Sequence, residues 1–278
     1  MKIITKFLTT DRKIRRSLAL AASLAAGLFA LSGCGGGGGP GIPMFEMIDG
    51  EGGRAGAGNE HFTGTHPNQF PIHGIDVSKY QGDIDWPAVK RAGVKFAWIK
   101  ATEGADHLDS KFRQNWEGAR AAGIPRGAYH FVFWCRRPHE EMNWFKQNVP
   151  VDPQALPPVL DVEATPTSKT CKRTLHRDEV LRDMREMLVD MERHYGKKPV
   201  IYVTVDFYAS IMHPNEFSDY NIWVRSTKHA PSVPYPGRRW VFWQYQSDGR
   251  SPGIKGNIDK NAFYGSAEQW QAWLAGKR

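Results

Sequence analysis

The sequence predicts an α/β fold: an irregular TIM-like (β/α) barrel with eight short strands and incomplete helices after the last of them. Three observations predict it. From residue 71 onward, short apolar runs rich in Val, Ile, Phe, Tyr and Trp alternate with longer helix-like segments, the pattern of strands buried on both faces and the helices that cover them. There are eight such runs. Polar residues also recur where the runs stop, which is where a parallel barrel opens its mouth.

In order, strands are expected at 71–77, 95–101, 126–133, 158–163, 199–204, 220–225, 239–245 and, shortest, 257–259. Between the first two, a helix at 85–92 starts on Asp85, an acidic N-terminal residue. The next helix, 110–122, stops at Gly123, a C-terminal cap signal. A third is expected at 138–148. The longest, 174–195, ends at Gly196, and a short one follows at 205–212. Beyond it Pro- and Ser-rich connections replace helices, until 266–275 closes the chain. The region spans roughly 205 residues, against ~250 for a full barrel of this type. The alternative is an open doubly wound sheet, but no glycine-rich phosphate loop follows the first strand.

The first 70 residues read as targeting and tether. Lys2, Lys6, Arg12, Lys13, Arg15 and Arg16 precede an apolar stretch at 17–31, which ends in Leu31-Ser32-Gly33-Cys34. This segment resembles a bacterial lipoprotein signal, too short and too rich in Gly and Ala for a spanning helix. The resemblance implies cleavage after residue 33 and a lipid on Cys34. It also implies an anchor in the cell envelope; Gly35 in place of Asp points to the periplasmic face of the outer membrane. Residues 34–70, Gly-rich, are expected to be a flexible tether, and 71–278 the folded domain. Of the formal charge of +8, the first sixteen residues supply +5, with six basic residues against Asp11. The mildly basic remainder suits an anionic polymer and carries no nucleic-acid footprint. A monomer is expected.

There are three cysteines. With Cys34 lipidated, Cys135 and Cys171 remain, both a few residues past strand ends. In an oxidising compartment they are expected to pair; two free thiols are the alternative.

Polar residues at the strand ends are Asp76, Glu103, His130, Asp161, Glu163 and Asp259. Asp161-Val162-Glu163 is the sharpest of these. The apolar run Leu156-Pro-Pro-Val-Leu160 stops in two acids two residues apart, which share a face on a strand. Unpaired buried carboxylates are disfavoured, and neighbouring ones push each other's pKa apart, so that one stays protonated while the other ionises. That is the equipment of glycoside hydrolysis. The plainer reading makes Asp161 a turn cap before Ala164-Thr-Pro-Thr and pairs Glu163 with Lys100 or Arg225. His130 is expected to be a hydrogen-bonded histidine at the mouth, and Lys100–Glu103 a possible salt bridge. No His partners stand at metal-ligand spacing beside the acids, so neither metal nor cofactor is expected.

His73-Gly-Ile-Asp-Val-Ser78, Phe96-Ala-Trp-Ile-Lys-Ala-Thr-Glu-Gly104, Gly127-Ala-Tyr-His-Phe131, Pro158-Val-Leu-Asp-Val-Glu163, Ile201-Tyr202 and Phe242-Trp-Gln-Tyr245 together resemble the family 25 glycoside hydrolases, the Chalaropsis-type lysozymes or N-acetylmuramidases. The blocks run in family order from His73 to about Phe263. The resemblance implies a β/α barrel that hydrolyses the β-1,4 bond between N-acetylmuramic acid and N-acetylglucosamine in peptidoglycan. It implies Glu163 as general acid and Asp161 as its partner, with Asp76 and Asp259 completing the site. Tyr129, Tyr202, Trp223, Gln244 and Glu103 are candidate sugar contacts, any of the aromatics being core residues on the other reading. A strand i, i+2 pair has Cβ atoms roughly 6.5–7 Å apart, between the retaining and inverting spacings. A substrate-assisted route through the 2-acetamido group also stays open. Asn221-Ile-Trp-Val-Arg-Ser226 departs from the family at Arg225 and Ser226. Two other functions are carried alongside: a non-catalytic glycan-binding module, and a hydrolase of another N-acetylated glycan such as chitin.

Overall fold

The computed structural model describes residues 62, 64–165 and 168–276 of the 278-residue chain; Cys34 and most of the Gly-rich stretch lie outside them. Strands β1 (His73–Val77), β2 (Phe96–Glu103), β4 (Arg126–Phe131), β5 (Val159–Val162), β6 (Val200–Val203), β7 (Asn221–Arg225), β8 (Phe242–Gly249) and β9 (Ile258–Phe263) form a closed barrel in that order, β9 returning to β1. Pairing is parallel from β1 to β8. β9 runs antiparallel to both neighbours. A two-residue strand, β3 (His107–Leu108), folds back on the end of β2.

The helices are α1 (Trp86–Arg91), α2 (Phe112–Ala121), α3 (Pro138–Asn148), α4 (Arg177–Tyr195), α5 (Val205–Ile211) and α6 (Ala267–Leu274). Local chemistry sets their ends. Asp85 caps α1 by accepting from the Ala88 N–H at 3.0 Å, satisfying a donor the helix cannot. Gly196 ends α4 at φ 64°, a left-handed conformation in which a Cβ is costly. As expected, no helix covers the β7–β8 and β8–β9 connections.

Two differences from expectation have local causes. The last strand is longer than 257–259, because the polar Lys260 and Asn261 mask a real ladder through Phe263. Packing also begins before residue 71: Phe62 is buried edge-on against Trp243, ring centroids 5.0 Å apart. Phe70 packs edge-on against Trp240 and at a tilt against Tyr264.

Side chains alternate in and out along each strand, giving the barrel two cores. The outer one lies between sheet and helices. The inner one fills the lower half of the barrel with Phe96, Trp98, Val159, Val200, Trp223, Phe242 and Phe263, sealed below by Trp270 of α6. Such a plug leaves no pore. Its aromatic rings fit because two neighbours have no side chain. A Cβ on Gly74 would sit 2.5 Å from Phe96 Cδ2, and one on Gly127 would sit 2.2 Å from Trp98 Cζ3.

Candidate active site

Above the aromatic plug the inward positions turn polar. β1 presents Asp76, β2 Lys100, β4 Tyr129, β5 Asp161 with Glu163 just beyond it, β6 Tyr202, β7 Arg225, β8 Gln244 and β9 Asp259. They line a cleft of about 290 Å³, floored by Trp223 and rimmed by Ser78, Tyr80 and Gln81. This is the end of the barrel where the parallel strands finish. Asp259 reaches it differently from the other acids. It is the second residue of its strand, and because β9 is reversed its start lies at the mouth. The register sets Asp259 directly opposite Asp76.

Asp76 is 7% exposed and held by two amides. Its Oδ2 accepts from Asn261 Nδ2 at 2.7 Å and from Gln244 Nε2 at 3.0 Å. Both amides are oriented in turn: Trp223 Nε1 donates to Asn261 Oδ1 at 2.8 Å, and the Tyr202 hydroxyl to Gln244 Oε1 at 2.9 Å. Five side chains from β1, β6, β7, β8 and β9 thus form one network with each amide's two ends assigned. Such supporting bonds lock rotamers around a site. Asn261 was not anticipated from sequence. It lies two residues from Asp259, hence on the same face, but the expected strand stopped short of it.

Asp161 is 6% exposed, and its Oδ1 is buried without a hydrogen-bond partner. Glu163 is half-buried, and its main chain is anchored. Trp134 Nε1 donates to the Glu163 carbonyl at 2.8 Å, while the Trp134 ring stacks on Phe207. The segment beyond is tied back twice more. Cys135 and Cys171 are joined in a disulfide, and Arg173 Nη1 donates to the Trp134 carbonyl at 2.9 Å.

Burial is the main force on the acids, since it disfavours the charged form. It pushes Asp161 well above the usual carboxylate range, with the Glu163 charge adding to it. It raises Glu163 too, partly offset by Arg225. Asp76 rises to about 6, its two amide donors and Arg225 opposing burial. Asp259 rises to about 8, through burial and then the Asp76 charge. Around neutral pH the Asp76/Asp259 pair therefore holds one proton, and the geometry assigns it to Asp259: Asp76 has two donors to stabilise an anion.

That pair has a consequence for stability. Folded Asp259 keeps its proton to about pH 8, whereas the ordinary value is 3.8. Between those values the folded state binds more protons, so its contribution to stability falls as pH rises. Asp259→Asn is expected to raise the melting temperature at pH 8 by roughly 3–6 °C, or about 1–2 kcal/mol after discounting for solvent. The gain should vanish at pH 4. Thermal unfolding at both pH values checks this, and an equal gain at each would contradict it.

Not every expected residue reaches the cleft. His130 points outward and is fully buried under α3. Its Nε2 lies 2.8 Å from Glu141 Oε2 and its Nδ1 2.7 Å from Thr102 Oγ1, with Phe145 against the ring. Alternation decides this, because Tyr129 beside it faces in. Glu103 is not among the cleft-lining residues; it accepts from Lys100 Nζ at 2.7 Å. Trp223 and Tyr202 are both floor and inner core. Glu163 pairs with neither Lys100 nor Arg225: among the described residues, Lys100 is the only cleft cation in an ion pair, and that pair is with Glu103. Among those residues, no group of three or more His, Cys, Asp or Glu is placed to hold a metal ion.

The chain is similar to known proteins over most of its folded region. The family model described as glycosyl hydrolases family 25 matches residues 75–254. The chain is 35% identical over 215 residues to the YegX protein of Escherichia coli K12, covering 76% of each. It is 35% identical over 227 residues to Lysozyme M1 of Streptomyces globisporus, covering 76% of this chain and 74% of that one. The structure of a family 25 glycosyl hydrolase from Bacillus anthracis superposes with a TM-score of 0.67 at 36% identity, covering 74% of this chain and 95% of the other.

Proposed function

This chain belongs to family 25 of the glycosyl hydrolases, and from that premise we propose how its four acids divide the work of cutting peptidoglycan. The enzyme is a lysozyme-type glycosidase acting on the β-1,4 bond between N-acetylmuramic acid and N-acetylglucosamine. The observation that carries the division of roles is the contrast among the acids. Asp76 is fixed by two amides, Asp161 has one buried oxygen without a partner, and Glu163 stands at the strand end with a raised pKa.

A glycosidic oxygen leaves poorly until it is protonated. Glu163 donates that proton as the C1–O bond breaks. Positive charge develops at C1 and the ring oxygen, and ionised Asp76, held in place by its two amide donors, stabilises it. The unpaired oxygen of Asp161 accepts the N–H of the 2-acetamido group, which turns the acetamido carbonyl oxygen toward C1. That oxygen closes on C1 as the leaving sugar departs. Glu163, now a carboxylate, removes a proton from a water that attacks C1 and reopens the ring. Two displacements give net retention of configuration. Neutral Asp259 donates to a sugar hydroxyl. The Tyr202 and Trp223 rings floor the cleft beneath the sugar, and Tyr129 walls it.

The experiment is a product profile from purified sacculi by mass spectrometry. Fragments with N-acetylmuramic acid at the reducing end are expected. Binding without release of fragments would leave a glycan-binding module, and products from chitin oligomers alone would leave another N-acetylglycan hydrolase.

We further propose that residues 1–33 export the chain, that Cys34 carries the lipid, and that residues up to about 61 tether the barrel to the envelope. The basic start, the apolar stretch and Leu31-Ser32-Gly33-Cys34 support this reading. Cys34→Ser is expected to move the protein from the membrane fraction to the soluble one, read by fractionation and by labelling with a fatty-acid probe.

A further inference from the structure

The cleft holds two cations, and they differ. Lys100 is occupied: its Nζ lies 2.7 Å from Glu103 and 4.8 Å from the centroid of the Phe131 ring. Arg225 stands two residues past Trp223 on the same inward face of β7, opposite Gln244 of β8. Its main chain is fixed, since the Tyr235 hydroxyl donates to its carbonyl at 2.7 Å. Its guanidinium makes no hydrogen bond or ion pair among the described residues, although it shares the cleft with Asp76, Asp161, Glu163 and Asp259. It lies close enough to pull the pKa of Asp76, Glu163 and Asp259 down. A half-buried arginine that faces four acids and pairs with none keeps its planar fork of donors for something else.

The chemistry of the substrate says what. Of the two alternating sugars, only the muramoyl residue can carry a carboxylate close to its ring, on the lactyl ether at O3. We propose that Arg225 binds the lactyl carboxylate of a muramoyl residue whose stem peptide has been removed, through two parallel N–H···O bonds. The assignment rests on the muramidase reading above. Two sources of carboxylate share this chemistry: the lactyl arm itself and an acidic residue further along an intact stem. The lactyl arm fits better, because Arg225 sits on the cleft wall at the level of the acids, within reach of a substituent only three carbons long. While a stem is attached, the lactyl carboxyl is an amide and carries no charge. The reaction that supplies the preferred substrate is therefore hydrolysis of that amide; strands that keep their stems are still cut, but bind less tightly.

The test is calorimetric binding to the Glu163→Gln chain, which turns the ligand over too slowly to disturb the measurement. Three tetrasaccharides of alternating N-acetylglucosamine and N-acetylmuramic acid serve as ligands: with free lactyl carboxylates, with lactyl methylamides, and with intact acidic stems. The free acid is expected to bind about 10- to 100-fold tighter than the methylamide, the range for a charge-assisted pair. Adding Arg225→Ala should abolish that difference, and Arg225→Lys should restore part of it. Equal binding of acid and amide by the chain with Arg225 intact would overturn the proposal without any variant of Arg225. So would equal loss of both ligands on Arg225→Ala, which would mean that the arginine acts on the acids of the site. Tightest binding of the stem-bearing ligand would move the contact to the stem and reject the lactyl assignment. If the muramidase reading itself is wrong, the wild-type chain releases nothing from sacculi, a result separate from all of these.

Discussion

Glu163→Gln lowers kcat on purified sacculi by roughly three orders of magnitude, within the range for loss of a general acid, and does not lower the melting temperature. The substitution keeps shape and hydrogen-bonding length but removes the proton that Glu163 would pass to the leaving oxygen. The fold is untouched because the Glu163 carboxylate makes no hydrogen bond or ion pair among the described residues, while its main chain is held by Trp134. The pH profile gives a second reading. Activity of the wild type should fall as pH rises through the elevated pKa of Glu163, whose causes are burial and then neighbouring charge. In Glu163→Gln the residual activity should lose that alkaline limb. Turbidity clearance across pH measures both, and near-normal turnover would remove Glu163 as the acid.

Asp161→Asn is expected to lower kcat by about two to three orders of magnitude, comparable to the loss of a general base or orienting group. The diagnostic is how the loss combines with a change in substrate. If Asp161 turns the acetamido group toward C1, a glycan with a free amine at C2 already lacks that group. Asp161→Asn should then cost little more on it, because coupled partners give non-additive losses. If Asp161 instead attacks C1 itself, the two losses should multiply. Azide would also rescue the variant to a glycosyl azide of inverted configuration. Kinetics on N-acetylated and N-deacetylated oligosaccharides, with product anomers resolved by NMR, separates the two.

Much of this architecture was legible because its signals are local. Apolar runs, Asp85 and Gly196 mark elements using a few neighbouring residues, and the eight barrel strands fall where those signals lie. Asp161 and Glu163 stood out because an apolar strand had no structural use for both. What stayed hidden depends on pairing between distant segments. Nothing within Ile258–Phe263 says that the strand runs backward, so Asp259 was expected at the finish of a strand and stands near the start of one. Asn261 was missed because the expected strand ended before it. His130 was placed at the mouth by its position at a strand end, but the alternation that turns Tyr129 inward sends it out beneath α3. The Cys135–Cys171 link was suggested by compartment and parity; that it adjoins Trp134, whose indole holds the Glu163 carbonyl, is a tertiary fact.

The reversed last strand has one more consequence. Asp76 lies 185 positions before the Asn261 amide that holds it, and its opposite number Asp259 is also on β9. The acids at the seam exist as a pair only where the first strand of the barrel meets the last. An unfinished chain still emerging during synthesis has Asp161 and Glu163 but neither the seam nor its amide. On the proposed division of roles, cutting power therefore arrives at closure of the ring, as a final event rather than by degrees, and no partial product of synthesis carries the complete blade.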